Sequence, residues 1–145
     1  MRLRRPRLFR PADSAQQTVG GFLLAGPFVV TEEVWVLATN MSIVQALATV
    51  ALVFAIGYAT LYTADTTRDV NAEQHVAGIP IRFLSLMGVS FGSVTILALL
   101  FGAPETFLEA SETTADTALV TFKAVSVGSV FSVVGAATAD SVFSR

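Results

Sequence analysis

The chain has 145 residues, 53% of them apolar and 14% charged, with no cysteine, one histidine and a formal net charge of −2; its mean hydropathy is +0.66. Soluble domains carry roughly a quarter charged residues, so this composition excludes an ordinary soluble fold and describes one small membrane domain. Without cysteine there are no disulfides, thiolate metal sites or cysteine nucleophiles, and the apolar runs hold no serine-base or metal-ligand spacing. No enzyme, no cofactor and no nucleic-acid partner is therefore expected; the expected partner is the lipid bilayer.

Residues 1–17 read as a basic cytoplasmic tail, with arginines at positions 2, 4, 5, 7 and 10. A basic head before an apolar run is the pattern of a secretory signal, and Arg4-Arg5 hints at a twin-arginine address. Three features argue against removal. The following run is too long, it carries Glu32 and Glu33, and the one tidy small-x-small site, Ala46-Leu47-Ala48, falls inside the next apolar run. The first span is thus expected over residues 18–39, since about 20 apolar residues cross ~30 Å of hydrocarbon as a helix. Pro27 lacks an N–H and clashes with the carbonyl of Leu23, so the helix should kink about one turn before Glu32, with Gly26 adding freedom.

The second span, residues 43–63, holds no charge. Only Asn40-Met41-Ser42 separates it from the first, which predicts a tight antiparallel hairpin; the same three residues form a glycosylation sequon, expected to stay an unmodified turn so close to the bilayer. Asp65 to Arg82 is a polar loop punctuated by Gly78 and Pro80. Asp69, Glu73 and His75 could be imagined around a metal there, but a solvated surface helix or loop is the expectation. The third span, residues 83–103, contains Gly88 and Gly92 in a GxxxG, with Ser85, Thr95 and Gly102 continuing the stripe. In lipid such small residues let backbones approach, either inside the chain or at a homo-oligomer seam. Pro104 to Asp116 holds four acids and no base, with Pro104 in the first turn of a short interfacial helix and Phe107 and Leu108 dipping towards lipid. The fourth span, residues 117–139, carries Lys123 and a small-residue stripe at Gly128, Ser132, Gly135, Ala136 and Ala139. Lys123 points away from that stripe, so this helix should meet neighbours on two sides.

These elements describe an all-α membrane protein of four transmembrane helices in an antiparallel bundle. The basic residues cluster in the tail, the Asp65 to Arg82 loop and Arg145, which by the positive-inside rule puts both termini in the cytoplasm of a prokaryotic cell, across its plasma membrane. Tyr62 then falls at the inner interface and Trp35 towards the outer one.

Glu32 lies ~21 Å into the first span and Lys123 ~9 Å into the fourth from the opposite side, so their depths match. Unpaired charges are costly in hydrocarbon, which predicts a cluster of Lys123 with Glu32, Glu33 or both, joining the first and fourth helices. Neighbouring helical residues point ~100° apart, so one acid should be left over, to be protonated, to snorkel outward or to line water.

The stretch Gly20-Gly21 through Gly26-Pro27, Thr31-Glu32-Glu33 and Trp35 resembles the opening motif of an uncharacterised family of small prokaryotic integral membrane proteins, in which a Gly-Pro pair, a Thr-x-Glu element and a following Trp recur. The resemblance covers the first span. It implies a multi-helix membrane protein with no assigned reaction and puts weight on Pro27, Thr31, Glu33 and Trp35; the acid at position 32 departs from the pattern. Two functions follow from the sequence. One is proton or monovalent-cation handling by a homo-oligomer through Thr31, Glu32, Glu33 and Lys123, with seams at Gly88/Gly92 and Gly128/Ser132/Ala136. The other is a non-transporting structural or accessory subunit whose buried charges only specify helix packing.

Overall fold

The computed structural model describes residues 9–64, 75–110 and 112–143. The chain is mostly helical: α1 (Pro11–Val29), α2 (Glu32–Asn40), α3 (Ile43–Tyr58), which runs on as a π-helical segment over Ala59–Ala64, a short hairpin of β1 (His75–Val76) and β2 (Ile79–Pro80), α4 (Ile81–Leu100), α5 (Ala103–Phe107) and α6 (Thr114–Phe143). Three stretches, Ile43–Thr63, Ile81–Leu100 and Thr114–Phe143, are long and apolar enough to cross a membrane, and α1 with α2 makes a fourth if the bent pair counts as one.

The boundaries follow local chemistry. Helix α1 starts seven residues before the expected span because Pro11 opens its first turn and the Asp13 carboxylate accepts the backbone N–H of Arg10 at 2.9 Å. Proline tolerates that position, where its N–H would be unpaired anyway. At α3, Ser42 and Gln45 cap each other: the Ser42 hydroxyl accepts from the Gln45 N–H, and the Gln45 side chain accepts from the Ser42 N–H, the reciprocal arrangement of a capping box. Thr113 caps α6 by accepting the N–H of Asp116. In the hairpin, Ala77 (φ 53°) and Gly78 (φ 81°) both take positive φ, as a two-residue turn between twisted strands demands. This hairpin replaces the plain loop end expected around Gly78 and Pro80. Asp69 and Glu73 lie outside the described residues, and His75 is exposed in β1.

The first span departs most from expectation. It is not one kinked helix over residues 18–39: α1 and α2 meet at 79°. The break is at Val30–Thr31, while Pro27 sits inside α1. Proline removes the helical donor to the Leu23 carbonyl, yet the helix carries on for two residues, and the turn comes where Thr31 adopts an extended conformation and its hydroxyl donates to the Phe28 carbonyl at 2.8 Å.

Helix α6 is the hub. It packs against α1, α2, α3 and α4, in keeping with the expected contacts on more than one side, and it is buried on most of its circumference. Its crossing with α1 is close enough that a Cβ on Gly20 would collide with the Gly135 carbonyl oxygen, and one on Gly135 with that of Gly20. Gly128 faces Val94 of α4, Ser132 donates to the Gly21 carbonyl at 3.2 Å, and Ala136 is fully buried. The Gly128/Ser132/Ala136 stripe is therefore taken up inside the chain and is not a free oligomer seam. Gly88 and Gly92 differ: a Cβ at either would meet no atom within 4 Å.

Candidate functional site

The charged groups gather at two ends of the molecule. At the elbow between α1 and α2, Glu32 and Glu33 form the first turn of α2 and are both exposed. Lys123 is 8% exposed, and its amine donates to the Met41 carbonyl, the C-cap of α2, at 2.6 Å. Among the described residues no ion pair joins it to either glutamate. The expected Lys123–glutamate cluster is thus corrected, and the bend explains why. Turned out of the line of α1, α2 holds its acids at one end and its lysine-bound carbonyl at the other, about nine residues or ~13 Å apart. Each charge is still well placed: acids favour the electropositive start of a helix and an amine its electronegative end.

Trp35 is the pin of this elbow. It is 1% exposed, packed near Phe107 of α5 with ring centroids 6.1 Å apart, and its indole N–H donates to the Val29 carbonyl at 2.9 Å, one of the acceptors left open where α1 ends. Helix ends leave such carbonyls without intrahelical donors. Trp35 therefore faces the interior and not the interfacial belt, and Phe107 and Leu108 likewise lie against the core cluster of Val29, Val34, Ala38 and Val94 instead of dipping towards lipid. Thr31 is held by its own hydroxyl bond to Phe28.

At the opposite end lies a cluster that the sequence reading did not single out. Arg82, at the start of α4, is 1% exposed and reaches Asp140 of α6 at 2.6 Å and Asp13 of α1 at 3.4 Å. Both aspartates are buried as deeply. The Phe9 ring covers the guanidinium at 5.2 Å, and the Arg10 side chain stands 3.8 Å from Asp13 while remaining largely exposed. Next to it Gln17 donates to the Arg82 carbonyl at 3.5 Å and accepts from Ser85 at 2.7 Å, and the Ser85 and Ser14 hydroxyls are 2.8 Å apart. One cation thus ties three helices through two carboxylates, and beside it an amide and two hydroxyls bond the Arg82 backbone carbonyl and one another. Such a group is costly to bury and costlier still to break, because removing the arginine takes from two buried carboxylates the guanidinium they share. The missed signal was local: Arg-Pro-Ala-Asp-x-x-x-Gln at residues 10–17 is a helix start with Asp13 and Gln17 on one face.

Comparison with known protein families, curated proteins and solved structures finds no match to this chain.

Proposed function

We propose that the chain is a four-span antiparallel helical membrane protein of a prokaryotic plasma membrane, with the start of α1 and the end of α6 on the cytoplasmic side, and that it acts as a non-transporting structural or accessory subunit. The observation that carries this is the position of Arg82, buried between Asp13 and Asp140 and bonded to both. A charge spent on two helices at once specifies how they pair and leaves little to offer a moving ion. Lys123 points the same way, since its amine is committed to a backbone carbonyl of α2. Homo-oligomers belong to the proposal, with Gly88 and Gly92 as the seam left open by the monomer.

A second reading, proton or monovalent-cation handling through Glu32 and Glu33, is favoured by one observation: two acids stand exposed at a helix broken by 79°. Broken helices beside acids recur at ion sites in transporters. The two readings part in one experiment. Purified protein is reconstituted in vesicles loaded with a pH dye and subjected to imposed proton, Na⁺ and K⁺ gradients. The accessory reading expects the leak of empty vesicles. Flux that falls in Glu32→Gln or Glu33→Gln while the variants stay folded would overturn it and install the second.

A further inference from the structure

We infer that the β1–β2 hairpin is a lipid anchor, whose Val76 and Ile79 insert together into the headgroup–acyl boundary of the leaflet at the start of α4. The two strands pair His75 with Pro80 and Val76 with Ile79. Opposed residues of an antiparallel pair share one face, with Cβ atoms ~5 Å apart, and successive residues alternate between faces. Pro80 is buried, so its face is turned to the protein; the other face presents Val76 and Ile79, which are 52% and 43% exposed. A hairpin packed on one face and wetted on the other places polar side chains outward. This one places two branched apolar side chains there, and the turn between them, Ala77-Gly78, adds no polar group of its own.

The height of the hairpin follows from α4. Ile81–Leu100 is by itself long and apolar enough to cross a membrane, and its 20 residues match the ~30 Å of hydrocarbon, which sets Ile81 at the edge of that layer. Strand β2 joins α4 with no linker. Two extended residues reach at most ~7 Å, and the polar layer of a leaflet beyond the hydrocarbon is ~5–8 Å deep. Ile79, with Val76 beside it, therefore stays at or inside that layer. From Val76 to Leu100 the one charged side chain is Arg82, itself buried against Asp13 and Asp140. The exposed apolar surface of α4, which begins with Leu84, thus runs on into the hairpin without a charged break. Exposed apolar groups held together mark a protein or a membrane contact. Height and continuity with the span select the bilayer, and strands of two residues each offer too short an edge for a partner strand.

The inference rests on the membrane assignment above but not on the cytoplasmic orientation. Because the chain has no cysteine, Val76→Cys, Ile79→Cys or Leu84→Cys supplies a single site for a nitroxide label in the full chain, reconstituted in phosphatidylcholine vesicles. Electron spin resonance compares relaxation by oxygen, which concentrates in the bilayer, with relaxation by a water-confined nickel chelate, and nitroxide lipids of known depth calibrate the ratio. Labels at 76 and 79 should read ~5–10 Å inward of a headgroup-labelled lipid, the depth of an interfacial apolar face, and the label at 84 should read deeper. In the Ile79→Cys protein, adding Val76→Asp should shift the label out to the reading of water. Adding Val76→Thr instead, which keeps the branched shape and the strand preference, should move it part of the way. Circular dichroism checks that the helices persist. Labels at 76 and 79 that read as water while 84 reads as lipid would overturn the hairpin anchor alone; water at all three positions would overturn the membrane assignment with it. Labels shielded from both reagents would assign the pair to a protein contact, and a label unmoved by both Val76 substitutions would show that the apolar pair does not set the depth. Either result overturns the inference as well.

Discussion

At one end of the molecule two carboxylates and a guanidinium are buried together, out of reach of water; at the other, two carboxylates stand in the open and an amine is bonded to a carbonyl. Read along the sequence, the second set is the conspicuous one, because Glu32, Glu33 and Lys123 interrupt long apolar runs. The first set looks like ordinary tail and loop charge. The difference teaches that a charge inside an apolar run can mark a change of direction in the backbone, while charges just outside such runs can be the ones the fold encloses. Glu32 and Glu33 begin a helix; Asp13, Arg82 and Asp140 bind three together.

The comparison breaks or holds on shifts in unfolding free energy in detergent or bicelles, with one crosslinking measurement beside them. The largest effect should come from Arg82→Met, which removes the guanidinium shared by the buried Asp13 and Asp140 and should cost about 3–5 kcal/mol; adding Asp13→Asn and Asp140→Asn should recover most of the loss. If Arg82→Met is harmless, the cluster is not a lock. Next, Gly20→Ala and Gly135→Ala each place a methyl against a carbonyl oxygen and should cost about 1–3 kcal/mol, whereas Gly88→Ala, with open space around it, should be neutral or stabilise by up to ~1 kcal/mol in the monomer. The same Gly88→Ala protein, examined by crosslinking, should show weakened self-association.

At the elbow the effects should be smaller. Lys123→Met gives up a charged hydrogen bond and should cost about 1–2 kcal/mol, while Glu32→Gln and Glu33→Gln should each stay within about 0.5 kcal/mol. A double-mutant cycle between Lys123 and Glu33 should then give a coupling below ~0.3 kcal/mol, and a coupling of 1 kcal/mol or more would restore the ion pair that the geometry denies. Last, Ala77→Gly relieves a positive φ in the hairpin turn and should stabilise by about 0.5–1 kcal/mol, which would confirm the turn independently of either charged end.

Much of the architecture was legible from hydropathy alone. Ile43–Thr63 is helical, long and apolar enough to span, with the expected ends, α4 lies two or three residues from its expected place, and α6 contains the expected fourth run and extends beyond it. The short helix after Gly102 was also readable, because Pro104 fits only an opening turn. The failures share a cause. Hydropathy averages over a window and is blind to direction, so it joined α1 to α2 across a 79° bend and ended the tail at residue 17 although Asp13 and Gln17 are already helical. Reading Thr31-Glu32-Glu33 as a helix start, with two acids in a first turn, would have divided the run correctly. What no local rule supplies is tertiary pairing: that Trp35 turns inward to the Val29 carbonyl and that Arg82 finds Asp140, 58 residues later, depend on how the helices cross.

Because α6 follows its partners in the chain and touches α1, α2, α3 and α4 alike, the ribosome delivers the keystone after the stones it holds. Until then α3 has few neighbours to pack on, the carboxylate that completes the Arg82 bridge does not yet exist, and the Met41 carbonyl waits for its amine. Packing of α3 and closure of the Arg82 bridge therefore wait for α6, while α1 and α4 can already meet without it.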